Sequence, residues 1–226
     1  MIDLFVNFLF PQNPLEAQAR EVVSNIAKIR RDTGDKLTTY PCPAYSFFTY
    51  RTTAVRTMIW RLKYHGDKSI AETFAKKMYD GLCEELSELA EWSNFKDPVL
   101  VAIPVSKHKL RLRGFNQSAA VCEALAELDR DRFFNYQPNV LYKIKDTPSQ
   151  ARVKDKKSRL QNLKDSFAVR DTTKDKACGR FSKIDVRGKN IILLDDVLTT
   201  GATLTEATHT LKTAGAKNII WVVIAH

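Results

Sequence analysis

The chain is 226 residues long, with 36 Lys and Arg against 26 Asp and Glu, a formal net charge of +10 and a pI near 9.4. Hydrophobic residues make up 44% and charged residues 27%, which excludes a disordered or collagen-like chain and suits one α/β domain with an appendage, or two small domains. The positive balance suits an anionic partner, either a phosphate-rich small molecule or nucleic acid.

In chain order, Met1–Phe10 is apolar but short, carries Asp3, and lacks the basic lead of a signal peptide. It reads as a core-packing or docking element, with a weak membrane-surface or partner contact as the alternative. No apolar run approaches the roughly 18 residues of a membrane span, so no membrane insertion is expected. Pro14–Arg31 has helical spacing at Ala17, Val22, Ile26 and Ile29, and Asp32–Lys36 is a polar turn. Tyr45–Tyr50 is aromatic and strand-like. Val55–Leu62 is helical, Tyr64–Asp67 is a turn, and Ser69 with Glu72 has capping-box spacing for a helix that buries Ile70, Phe74, Met78, Leu82, Leu86 and Leu89.

Beyond residue 93, short apolar runs alternate with helical patterns. The runs are Val99–Ile103, Val140–Ile144, Ile191–Leu194 and Ile219–Ala225, and the helices are Asn116–Leu128 and Leu204–Ala214. This alternation implies a mainly parallel sheet flanked by helices, with ligands bound beyond the carboxyl ends of the strands. Arg170–Ile184 reads as a surface loop. The cysteines, Cys42, Cys83, Cys122 and Cys178, are scattered without a C-x-x-C pair, which argues against a zinc site or disulfide framework and suits a reduced, cytoplasmic setting.

The chemistry concentrates at the strand Ile191–Leu194, which ends in Asp195-Asp196. Two carboxylates at the end of a buried strand are costly without partners. Capping of the next turn by Asp196 is the ordinary explanation. The sequence then runs Val197-Leu198-Thr199-Thr200-Gly201-Ala202-Thr203, and Thr203 with Glu206 marks a helix start. A glycine-bearing loop that opens a helix suits an anion, while adjacent carboxylates accept hydrogen bonds from sugar hydroxyls. Together they describe a ribose-5-phosphate cradle. A second strand end, Pro104-Val105-Ser106-Lys107-His108-Lys109, adds a serine hydroxyl and dense positive charge suited to a polyanion, or is a solvated basic loop. Lys143–Lys164 is a further basic stretch, either a flap or a solvated or nucleic-acid-binding stripe.

The segment Ile191–Thr203 closely resembles the signature of type I phosphoribosyltransferases for 5-phosphoribosyl-1-pyrophosphate (PRPP). The resemblance implies the type I phosphoribosyltransferase fold with an N-terminal α-rich appendage. It implies that Asp195 and Asp196 hold the ribose hydroxyls, that Thr199, Thr200, Gly201, Ala202 and Thr203 wrap the 5′-phosphate, and that Val105, Ser106 and Lys107 meet pyrophosphate. Threonine at 199 differs from the aspartate typical of 6-oxopurine salvage enzymes and argues against that subgroup. Arg113-Gly114-Phe115-Asn116-Gln117, Leu62-Lys63-Tyr64-His65-Gly66-Asp67, and Thr147–Gln150 with Arg159 and Asn162 resemble one subgroup, the ComF/GntX-type proteins.

That resemblance implies residues 44–226 as the phosphoribosyltransferase-like domain (hood 44–92, core 93–226), with residues 1–43 a helical segment in place of the zinc ribbon many members carry. Leu9–Pro14 resembles the ribbon's lead-in, but its cysteine pairs are absent, so zinc is not expected. The implied activity is transfer of phosphoribose to an acceptor with release of pyrophosphate. Mg²⁺ would be carried by PRPP, and Lys107, Lys156 and Arg159 would offset charge. The competing implication is an accessory protein of competence and DNA uptake. It would bind single-stranded DNA, through the basic stretch and the Tyr45–Tyr50 aromatics, or a helicase-like partner. A PRPP-sensing regulator is the third option. Acceptor and oligomeric state are not specified.

Overall fold

The computed structural model describes residues 35–37, 39–145, 163–170 and 185–226. The expected helix Pro14–Arg31, the lead-in Leu9–Pro14, the greater part of the 143–164 stretch with Lys156 and Arg159, and all but the first residue of the 170–184 loop lie outside the described residues, as does Cys178.

The main sheet has six strands in the order β1-β2-β8-β7-β3-β4. These are β1 (Asp35–Leu37), β2 (Ala44–Phe48), β3 (Val99–Ala102), β4 (Asn135–Tyr136), β7 (Asn190–Val197) and β8 (Asn218–Ala225). Every pairing in it is parallel except β1 with β2. The expected α/β sheet is therefore present, with one antiparallel edge. Two details differ from the sequence reading. The run Val140–Ile144 does not join this sheet: β5 (Leu141–Lys143) pairs antiparallel with β6 (Phe167–Val169) as a separate ribbon. And β2, grouped with the hood by sequence, pairs with β8 as a strand of the main sheet.

The sheet's two faces explain the apolar runs. On β7, Ile192 and Leu194 face one layer with Phe74, Met78 and Leu125, while Ile191 and Leu193 face the other with Leu204, Ala207 and Leu211. Period-2 alternation has an apolar layer on both sides, so the strand reads as an unbroken hydrophobic run. The first layer is covered by α1 (Thr53–His65), α2 (Lys68–Ser93) and α4 (Gln117–Leu128), and the second by α5 (Ala202–Thr213). A short helix, α3 (Lys107–Arg113), occupies the basic segment read as a loop. It buries no residue, so its helicity leaves no apolar stripe in the sequence.

Two expected capping boxes are not formed. Asp67, not Ser69, caps α2, with its carboxylate accepting from Ser69 N at 3.1 Å. Gly201, in the left-handed conformation, precedes α5, and Glu206 instead accepts from Asp165 N. Gly66 closes α1 at φ +62, where a Cβ would come within 2.9 Å of the Phe115 ring. Gly66→Ala is therefore expected to destabilise the fold by more than about 1 kcal/mol, read as a lower urea midpoint at unchanged slope.

Candidate functional site

The parallel strands β3 and β7 end side by side, and Ile103 N donates to Leu194 O at 2.9 Å. Beyond them opens a cleft of about 470 Å³. Its walls include Tyr50, Arg56, Trp60, Lys63 and Tyr64, then Val105, Ser106, Lys109, Arg113 and Gln117, and finally Asp195, Asp196, Thr199 and Thr203. A larger hollow of about 770 Å³ lies at the opposite end of the strands, lined by Asp97, Val99, Asn135, Asp185 and Lys189. Position beyond the carboxyl ends of the parallel strands, beside the acid pair, and not size, marks the smaller cleft as the candidate site.

Asp195 and Asp196 lie within β7, which continues to Val197, rather than just after the strand. Asp196 is buried, 5% exposed, and both its oxygens are engaged: Lys63 Nζ is 3.0 Å from Oδ1, and Gln117 Nε2 donates to Oδ2 at 2.7 Å. Capping of the next turn is not its role. Asp195 is half-buried, and its Oδ1 accepts from Ser118 Oγ at 3.2 Å and from Asp196 N at 2.9 Å. Burial, reinforced by the Asp196 charge, holds the Asp195 carboxyl well above the usual carboxylate range, against the opposing pull of the Asp196 N–H, Lys63 and Ser118. Burial alone would lower the Lys63 ammonium, but the two carboxylates more than reverse this and leave it raised.

The Arg113–Gln117 motif sits behind the acids. Arg113 lies 4.9 Å over the Tyr64 ring and donates to Gln117 Oε1 at 3.4 Å. Asn116 donates to Ile103 O at 3.0 Å and caps α4 by accepting from Ser118 N at 3.1 Å. The basic segment contributes differently than its residue types suggest. Ser106 caps α3, accepting from Lys109 N, and Val105, Ser106 and Lys109 line the cleft, while Lys107 is exposed on the first turn.

The loop 197–204 and Asp195 form a small cup. Gly201 holds φ +74, and a Cβ there would meet the Tyr40 ring at 2.9 Å. Tyr40 Oη donates to Thr199 O at 3.2 Å, and its ring packs 5.5 Å from Trp221. The Thr200 hydroxyl oxygen is buried and has no hydrogen-bond partner among the described residues. A buried hydroxyl is seldom left so, and here it lies in the loop that opens α5. Thr199 is exposed, Ala202 buried, and Thr203 lines both cup and cleft. Sequence reasoning missed Lys63 and Tyr40 as site residues. Lys63 enters the sequence reading only through the resemblance of Leu62–Asp67, and nothing local marks either residue's distant partner. Among the described residues no three His, Cys, Asp or Glu side chains gather as a metal cage.

A phosphoribosyl transferase domain model matches residues 143–226, which include the acid pair and the cup. Competence protein ComFC of Streptococcus pneumoniae is 30% identical over 175 residues, 77% of this chain and 64% of that protein. ComFC of Bacillus subtilis is 31% identical over 170 residues, 75% of this chain and 58% of that protein. A DNA utilization protein, YhgH, of Escherichia coli is 25% identical over 123 residues, 54% of this chain and 47% of that protein. The chain spans less than two thirds of the length of these relatives. A solved hypoxanthine phosphoribosyltransferase of Trypanosoma cruzi is 12% identical with a TM-score of 0.39, over 69% of this chain and 64% of that one, too distant to carry a functional conclusion. Fold and domain match define a phosphoribosyltransferase-like protein. Within that class its sequence is similar to ComF-type competence proteins.

The raised Asp195 pKa has a consequence for the ligand-free protein. The native state binds this proton more tightly than the unfolded chain, so the stability Asp195 contributes is present at low pH and lost as pH rises through its native pKa. Asp195→Asn is expected to stabilise the ligand-free protein by on the order of 1 kcal/mol at about pH 8, with the gain closing toward about pH 4. Urea melts at both pH values check this, and an equal effect at both would contradict it.

Proposed function

We propose that the chain binds PRPP, with Mg²⁺ carried on the ligand's own oxygens, and transfers phosphoribose to an acceptor. The observation that carries this reading is that Asp195 belongs to both the cup and the cleft. A carboxylate there accepts from ribose hydroxyls while the Thr199–Thr203 loop, with its Thr200 hydroxyl unpartnered among the described residues and its helix-opening N–H groups, takes the 5′-phosphate. The pyrophosphate then lies toward Val105, Ser106 and Lys109.

In the reaction an acceptor lone pair forms a bond to ribose C1 as the bond from C1 to the pyrophosphate oxygen breaks. Pyrophosphate leaves with the electron pair, and the acceptor's proton passes to solvent. Lys109 on the cleft wall favours the growing negative charge. When bound, Mg²⁺ supplies further neutralisation of that charge. Orientation and electrostatics do the remainder, and no side chain is required as a general base.

A thermal melt tests binding. At saturating PRPP and Mg²⁺ the wild type should gain about 5 °C or more, and the Asp195→Asn/Asp196→Asn double variant should gain nothing. A wild-type Tm unchanged by PRPP would sink the proposal. Pyrophosphate release across a panel of nucleobases and amines separates a transferase from a sensor that binds without turnover.

One observation favours a second reading, binding of single-stranded DNA. Trp60 and Tyr64 are 49% and 55% exposed on α1, their ring centroids 5.6 Å apart and their planes tilted by 43°, at a cleft mouth that also holds Arg56 and Arg113. An aromatic face beside cations suits unpaired bases. The aromatics proposed from sequence do not: Tyr45, Phe47 and Phe48 are buried in the sheet, and only Tyr50 is exposed. If this reading holds, Trp60→Ala weakens binding of a labelled oligothymidine by about tenfold, in anisotropy measurements across a salt series. Equal binding by wild type and variant counts against it.

A further inference from the structure

The two motifs that flank the cleft from the hood side and the core side form one device. Lys63 is followed by Tyr64, whose ring carries the Arg113 guanidinium. Arg113 holds the Gln117 amide oxygen, which turns the amide nitrogen toward Asp196. Gly66 admits the Phe115 ring, and Asp67 starts the next helix. Lys63 from α1 and Gln117 from α4 thus both reach Asp196 and occupy one oxygen each. Asp195 has one oxygen held by Ser118 and the Asp196 amide, and it alone of the pair lines both the cup and the cleft.

We propose that Lys63 is a positioning residue: with Gln117 it locks Asp196 as a fixed anchor and leaves Asp195 as the carboxylate presented to the ligand's vicinal diol. The ligand half of this assignment rests on the phosphoribose reading above. The two acids, equivalent by resemblance, then have different work. Asp196 fixes the end of β7 and the approach of α1, and Asp195 meets the sugar. The charged and titratable groups facing the pair are Lys63 from α1, Tyr50 beyond β2, and Arg113 through Gln117. Arg56, Lys109 and Lys143 stand on the cleft wall. Lys63 alone among these cations contacts a carboxylate of the pair in the described structure.

Two measurements on full-length Lys63→Met, Lys63→Arg and Gln117→Leu test this. The first is ¹³C NMR titration of the Asp195 and Asp196 carboxyls in the ligand-free protein. Lys63→Met should move that titration up by about one unit or more, Gln117→Leu should move it up by less, and Lys63→Arg should restore it. The second is calorimetry of PRPP with Mg²⁺ as a function of pH. Lys63→Met should bind about tenfold more weakly near neutrality, with the acid limb of affinity displaced upward in step with the carboxyl titration. Because the ligand titrates identically in every arm, a displacement between variants belongs to the protein. A general loosening of the fold weakens binding without moving that limb, and retained binding by Lys63→Arg separates charge from packing. If Lys63→Met does not fold, the Gln117→Leu titration decides. Carboxyl titrations that are unmoved overturn the proposal whatever PRPP does. Carboxyl titrations that move as expected in the variants, together with a wild type that binds no PRPP, overturn the phosphoribose reading and the ligand half of the assignment with it.

Discussion

Asp196 is a carboxylate held almost out of water near the end of a largely buried strand, 3.0 Å from the Lys63 ammonium. A charge in that position costs several kcal/mol unless an opposite charge and hydrogen bonds replace its water. Lys63 and Gln117 supply both, and each can do so only if its helix is held close to β7. The packing of α1 and α4 on one face of the sheet is therefore tied to the chemistry at the strand end. A buried ion pair of this kind is weak evidence for stability, since an apolar pair of similar volume often does as well. What it arranges is one acid held on both oxygens beside a second that lines both cup and cleft.

The other half of the site depends on backbone shape. Gly201 turns the chain at positive φ, and Tyr40 occupies the space a side chain there would need. Tyr40 is in turn braced by Trp221, whose indole nitrogen donates to Thr208 on α5. The His226 ring lies 2.9 Å from Leu198 O on the same loop. The loop is thus fixed from behind by groups outside it. A loop shaped in advance loses little further entropy when it closes on an anion, which is the condition for tight binding of a small charged group.

The fold was legible where the pattern was local. Ile191–Leu194 and Ile219–Ala225 are unbroken apolar runs because both faces of the sheet are covered, and Gln117–Leu128 announced itself through Asn116 and its spacing. The strand-loop-helix around Asp195 was legible for the same reason, since it lies within thirteen consecutive residues. What failed was competition between local options. Asp67 outcompetes Ser69 as a cap because its carboxylate reaches the Ser69 amide directly, and Gly201 removes the need for a side-chain cap on α5. Leu141–Lys143 looks like any other short strand, and only its distant partner decides which sheet it joins.

Lys63 was invisible as a site residue for a deeper reason. On α1 it is one of several cations, and helical spacing says only that it lies near the buried edge. Its role is set by Asp196, which arrives from another part of the chain and brings a charge that burial would otherwise penalise. The same holds for Arg113, which a reading by residue type sends to a phosphate but which the structure seats on Tyr64 and Gln117. Charge at a cleft therefore does not by itself identify a ligand contact. Some of it pairs with a buried acid, as Lys63 does with Asp196, and some braces a neighbouring side chain, as Arg113 does, while Arg56 lines the wall without touching the acid pair.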